Sequence, residues 1–215
     1  MKDKFGLTAQ QEIGIEVMNA LSHGLGILMS VIGLYLLGQK AGHSPSMVRW
    51  TAYVVYGVSM LCLFTASTLY HAFSFTKFRK VFQRLDHSAI YLFIAGTYTP
   101  YVLLGMDISY KTLLICIIWL LAIMGIVIEN FYLEKLGFLS TFLYLALGWI
   151  VILFIIPLFG NNPLECILLL GLGGMLYSGG TYFYRLKHQK WMHVVWHLFV
   201  LLAALAMFLS IYLYI

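Results

Sequence analysis

Charged residues are scarce in this chain, and their scarcity excludes most classes of soluble protein. Only 10% of the 215 residues are Asp, Glu, Lys or Arg, whereas about a quarter are charged in an ordinary soluble domain. Hydrophobic residues make up 62% and aromatic residues 16% of the chain, which also excludes a disordered chain. The composition therefore predicts an integral membrane protein.

Cysteine is also rare. Cys62, Cys116 and Cys166 lie far apart, in or beside apolar segments, and form no CxxC pair. We therefore expect neither a disulfide framework nor a cysteine metal site. The net charge of +5 comes from basic residues in short loops between apolar runs. It therefore indicates orientation in a membrane, and we expect no nucleic-acid partner.

Seven uncharged runs are long enough, or nearly so, to cross a membrane as helices. The run from 136 to 164 is predicted as one helix followed by a loop, because Pro157 and the turn residues 160–163 end it. The runs lack the alternation of a β-barrel. We expect an all-α, seven-transmembrane-helix bundle that forms a single domain over residues 1–215. The predicted spans are 17–39, 50–76, 87–106, 112–128, 136–164, 166–184 and 191–215.

Basic residues are distributed unevenly between the two predicted sides of the membrane. Lys40, Arg49 and Lys111 fall on one side, and the other ten Lys and Arg residues fall on the side of the N-terminus. By the positive-inside rule, we expect residues 1–16 to be a cytoplasmic segment and the C-terminus to lie outside. This segment has mixed charge and no apolar core, so we expect no signal peptide. Thr8 and Gln11 predict a capping box that starts a helix near residue 9.

Ionisable side chains inside membrane spans are costly to bury, so each is a candidate functional residue. Four stand out, His71, Asp86, His193 and His197, and Ser67 joins them because it lies four residues before His71. His193 and His197 are also four residues apart, so they share one helix face. The predicted topology places all five side chains at similar depth, near the cytoplasmic edge of the membrane.

Three imidazoles with an open fourth position are typical of a catalytic zinc site, and nitrogen ligands favour zinc over magnesium or calcium. Zinc would lower the pKa of its bound water to about 7. Asp86 could accept the proton of that water or orient it, and Ser67 could bond to the water or to an oxyanion. A structural alternative stays open: Asp86 pairs with Arg84 or Lys80, and the other side chains bond within the bundle.

The remaining histidines give weaker signals. His23 lies on the same predicted side and either lines the site or packs between helices. His87 follows Asp86 but is rotated by about 100° on a helix, so we leave it out of the site. His43 and His188 fall in predicted loops and are expected to be solvated.

Four stretches of the chain together resemble the hemolysin III family, the bacterial branch of the progestin-and-adipoQ-receptor membrane proteins. The resemblance covers nearly the whole sequence. It implies a seven-helix fold with a cytoplasmic N-terminus, and zinc held by His71, His193 and His197, with Ser67 and Asp86 near the water bound to it. The four stretches are Asn19–Gly24, Ser67–His71, Asp86–Tyr91 with Ala95–Pro100, and His193–His197.

Related membrane proteins include alkaline ceramidases, and bacterial members have been tied to membrane lipid homeostasis. The resemblance therefore implies a multi-pass protein of the bacterial plasma membrane that hydrolyses a lipid amide or ester with Zn²⁺, with membrane lipids as partners and substrates. Two alternatives stay open: a receptor or sensor with a structural zinc ion, and a membrane-lytic pore. The substrate and the oligomeric state are not predicted.

Overall fold

A computed structural model of the protein describes residues 7–44, 46–136, 138–186 and 188–215, and the side chains of all these except 132–136 and 138. These residues form helices joined by short loops, with no β-strand among them. The α-helices are α1 (Ala9–His43), α2 (Met47–Ala72), α3 (Arg79–Leu103), α4 (Lys111–Leu136), α5 (Phe138–Trp149), α6 (Ile155–Asn161), α7 (Leu164–Arg185) and α8 (Trp191–Tyr214). A 3₁₀-helix, Ile150–Phe154, joins α5 to α6.

The predicted start of the first helix is confirmed. The Gln11 backbone N–H donates to the Thr8 hydroxyl at 3.3 Å, and the Thr8 N–H donates to the Gln11 side-chain oxygen at 2.9 Å. This reciprocal pair satisfies two of the backbone donors that a helix start leaves free. It fixes α1 from Ala9 onward, so Glu12 and Glu16 lie within the helix.

Six helical segments of the described chain are long and apolar enough to cross a membrane. They include α1, α2, α7, α8, most of α4, and the combined segment Leu139–Asn161. The remaining long helix, α3, has 25 residues but is less apolar. It starts at Arg79, earlier than the predicted 87, so Asp86 lies two turns inside the helix rather than at its start.

The predicted helix from 136 is interrupted by the 3₁₀-helix, which the sequence analysis missed. In a regular α-helix the Val151 N–H would donate to the Leu147 carbonyl. The Tyr98 hydroxyl of α3 lies between them instead, 2.8 Å from the Val151 nitrogen and 3.0 Å from the Leu147 oxygen. A side chain inserted into the helical hydrogen-bond ladder breaks the helix at that point.

Helix α1 packs closely against α2 with one face. A Cβ atom on Gly26 would lie 2.3 Å from the Phe64 ring, so only glycine allows this approach. α1 also packs against α8, and α8 packs along α7. The opposite face of α1 exposes apolar side chains such as Leu21, Leu25 and Leu28, as expected for a surface in contact with lipid.

Candidate metal centre and its cavity

Three imidazole rings converge between α2 and α8. His71 lies in the last turn of α2, and His193 and His197 lie in the first two turns of α8. Each ring offers one nitrogen, and these three atoms lie within 4.8 Å of one another. His71 and His197 are buried and His193 is half-buried. The structure therefore brings together the three histidines that the sequence analysis proposed as metal ligands.

The outer nitrogens of two of these rings are held by α1. His71 Nδ1 lies 2.6 Å from the Glu16 carboxylate. His197 Nδ1 lies 3.1 Å from the Ser22 hydroxyl and 3.2 Å from the Asn19 carbonyl oxygen. A carboxylate or carbonyl oxygen can only accept, so Nδ1 carries the proton in both rings and donates it. Each Nε2 is then left with its lone pair.

The donor set fits a metal ion. Among the described residues, His71 Nε2 is buried and has no hydrogen-bond partner, and such an atom is costly to leave unpaired. A histidine that ligates a metal commonly donates its other N–H to a carboxylate or carbonyl group. His71 and His197 both show this arrangement. Three imidazole nitrogens are a ligand set that zinc accepts with a fourth position open.

A fourth imidazole lies against this group. The His23 ring stacks on the His197 ring, with centroids 3.7 Å apart and planes at 13°. His23 is buried, and neither of its ring nitrogens has a partner within the part of the chain that the structure describes. The sequence left open whether His23 lines the site or packs between helices, and in the structure it does both.

Ser67 and Asp86 lie beside the histidines. Ser67 is buried one turn before His71 on α2, and Asp86 is partly buried on α3, within reach of the Ser67 side chain. Both line one cavity together with His193 and His197. The structure thus places these side chains at one end of a shared space. Their catalytic roles stay a prediction.

The cavity has a volume of about 290 Å³ and a polar and an apolar end. The polar end is formed by the residues just described, with Tyr70 and Tyr184. Away from it the lining is mostly apolar, with side chains from α5 to α8 such as Ile155, Leu170 and Met207. Ile152 lines the cavity and is 56% exposed on the outer surface. One side chain of the 3₁₀-helix therefore lies both against the cavity and at the outer surface.

Glu16 and Ser22 are parts of the site that the sequence analysis missed. Ser22 was not considered as a partner for a histidine, and Glu16 was counted with the N-terminal segment. A signal was present, because residues 16, 19 and 23 recur at the three- and four-residue spacing of one helix face. That face of α1 points toward the histidines.

Comparisons with known proteins find similar chains over most of this sequence. The family model described as haemolysin-III related matches residues 12–208. The Hemolysin-3 homolog of Bacillus subtilis (strain 168) is 40% identical over 199 residues, which cover 93% of both chains. Hemolysin-3 of Bacillus cereus is 40% identical over 200 residues, covering 93% of this chain and 91% of that protein. The human monocyte to macrophage differentiation factor is 29% identical over 203 residues, covering 91% of this chain and 82% of that protein.

Proposed function

The chain belongs to the haemolysin-III-related family and is a multi-pass membrane protein, and from this premise we propose that it is a zinc-dependent hydrolase of lipid amides or esters. The observation that carries the proposal is the position of the three imidazoles. They meet beside a cavity that His193 and His197 line and whose remaining walls are mostly apolar. A lipid needs both surfaces, one for its acyl chain and one for its reacting carbonyl group.

Each residue at the polar end has a role in this proposal. His71, His193 and His197 hold the zinc ion, which would supply a Lewis acid and make water a nucleophile near neutral pH. Asp86 accepts the proton that the attacking water loses, since its carboxylate lines the same cavity as His193 and His197. Ser67 donates a hydrogen bond from its hydroxyl to the water, or to the oxygen of the carbonyl group as negative charge develops.

The orientation of the chain sets where a substrate would reach the site. We propose seven membrane spans, with α3 crossing as the seventh and the N-terminus in the cytoplasm, on the basis of the ten-to-three distribution of basic residues. The histidines then lie near the cytoplasmic face. The lipid would enter laterally between helices, with its head group near the cytoplasmic face and its acyl chain in the apolar part of the cavity.

The test compares membranes that contain wild-type protein with membranes that contain the Asp86→Ala variant. We expect accumulation of one class of amide or ester lipid in the variant, and turnover of that class by purified wild-type protein. His43→Gln is the control, because His43 is exposed at the end of α1, away from the cavity. Identical lipid profiles, with no turnover of any amide or ester lipid by purified protein, would contradict the proposal.

A structural metal in a receptor or sensor is the second candidate. The arrangement of the ligands favours it, because the histidines lie on α2 and α8 while Glu16 and Ser22 reach them from α1. A metal ion there would tie three helices together. In that case a chelator lowers the melting temperature of the protein, yet Asp86→Ala leaves both the lipid profile and the melting temperature unchanged.

Dye leakage from liposomes that persists in His71→Ala would instead favour the lytic pore.

A further inference from the structure

A second pair of ionisable side chains lies beside the cavity, outside the group described so far. Glu129 is only 1% exposed, two turns before the end of the apolar helix α4. His87 Nδ1 lies 2.8 Å from Glu129 Oε1, and the Ser140 hydroxyl of α5 donates to the same oxygen at 3.1 Å. A carboxylate in a membrane span is costly, and such residues commonly serve a function.

The surroundings of this pair differ from those of a closed structural network. The rings of Tyr91 and Tyr144 lie against each other, with centroids 4.6 Å apart, near Glu129. Over the described residues, neither tyrosine hydroxyl nor Glu129 Oε2 has a hydrogen-bond partner. Buried polar groups that only stabilise a fold are usually satisfied by one another. His87 and Tyr144 also line the same cavity as Asp86.

The contact with Glu129 fixes which nitrogen of His87 is available. The carboxylate accepts from Nδ1, so Nε2 is the nitrogen left to act in the cavity. An imidazole held by a carboxylate on one nitrogen is a common arrangement for a group that transfers protons with the other. The rotation of about 100° between residues 86 and 87 does not remove His87 from the cavity, because residues of α3 line it over several turns.

We propose that His87, oriented by Glu129, is the general acid that protonates the leaving group; this inference rests on the proposed hydrolase function. The water oxygen forms a bond to the carbonyl carbon, and Asp86 accepts the proton that the water loses. The bond from that carbon to the leaving nitrogen or oxygen then breaks. The leaving atom keeps the electron pair and takes the proton of His87 Nε2. Transfer of the Asp86 proton to His87 restores both groups, and the net reaction is addition of one water.

The experiment compares two probes with the same acyl chain, dodecanoyl ethanolamide and 4-nitrophenyl dodecanoate. The amide needs a proton on its leaving nitrogen, whereas 4-nitrophenolate is a weak base and leaves without one. The variant is His87→Asn, whose amide N–H can still donate to Glu129. General acid catalysis contributes about 100-fold or more. We expect the ratio of kcat/KM for the amide to kcat/KM for the ester to fall by about that factor in His87→Asn.

Four further variants separate the outcomes. Glu129→Gln should lower the same ratio, and the double variant should lower it no further than His87→Asn alone, because the two residues act as one unit. Asp86→Ala should lower turnover of both probes together. His43→Gln, on an exposed histidine, is the control for the substitution itself.

Metal content gives a readout that is independent of turnover, and His87→Asn should retain the zinc content of wild type. Loss of zinc from this variant would make His87 a metal ligand and overturn the inference. An unchanged ratio of kcat/KM values in His87→Asn would also overturn the inference. An unchanged ratio together with a lowered melting temperature is the result expected for a purely structural pair. If wild-type protein turns over no amide or ester lipid while it binds zinc, the proposed hydrolase function fails, and the role of His87 fails with it. If wild-type protein turns over both probes, the hydrolase function stands, and the ratio in His87→Asn then tests the role of His87 alone.

Discussion

Replacing Glu16 with glutamine should weaken zinc binding without abolishing it. The Glu16 carboxylate accepts from His71 Nδ1 at 2.6 Å, so it fixes the ring with Nε2 toward the other two histidines. Removing such a partner typically costs 10- to 100-fold in metal affinity, or about 1.4 to 2.7 kcal/mol. The Glu16 side chain is 25% exposed. Solvent screening therefore places the expected loss at the lower end, about 10- to 30-fold.

The assay is competition for zinc between purified protein and a chromophoric chelator of known affinity, at one fixed pH. Glu12→Gln is the matched control. It is the same substitution one turn earlier on α1, and Glu12 pairs with Lys190 rather than with a histidine. We expect wild-type zinc affinity in Glu12→Gln and reduced affinity in Glu16→Gln. Equal affinities in Glu16→Gln and wild type would refute the reasoning that this carboxylate supports the metal site.

Two further predictions concern the stability of the helices that carry the site. Lys40 Nζ donates to the Ile211 carbonyl at 3.3 Å and the Tyr212 carbonyl at 2.7 Å, so it caps the end of α8. Lys40→Met keeps the aliphatic chain and should lower the free energy of unfolding by about 1–3 kcal/mol. Tyr98→Phe removes the partner of the Val151 N–H and should cost about 1–3 kcal/mol. Unfolding in detergent measures both, and an unchanged free energy of unfolding in either variant contradicts the corresponding contact.

The parts of the site that could be predicted from sequence are those that helix geometry fixes locally. The four-residue spacing places Ser67 beside His71 and His193 beside His197 on any α-helix. Counting spans then places α2 and α8 with these ends on the same side. The capping box at Thr8 and Gln11 is equally local, and it too is confirmed.

The parts that could not be predicted depend on how helices pack. The face that α1 turns toward α2 is set by close contact of Gly26 with Phe64, so the partnership of Glu16 with His71 follows from packing between distant segments. The same reason explains the break after Trp149, since Tyr98 lies some fifty residues earlier in the chain. His87 was left out because its direction was judged relative to Asp86 alone, without the width of the cavity.

The metal content of purified protein tests the central claim most directly. After loading with zinc and removal of excess metal, elemental analysis should find one zinc ion per wild-type chain and nearly none in His71→Ala or His193→Ala. His43→Ala, which changes an exposed histidine, should retain the wild-type content. A wild-type protein that retains no zinc, or ligand variants that retain as much as wild type, would contradict the account.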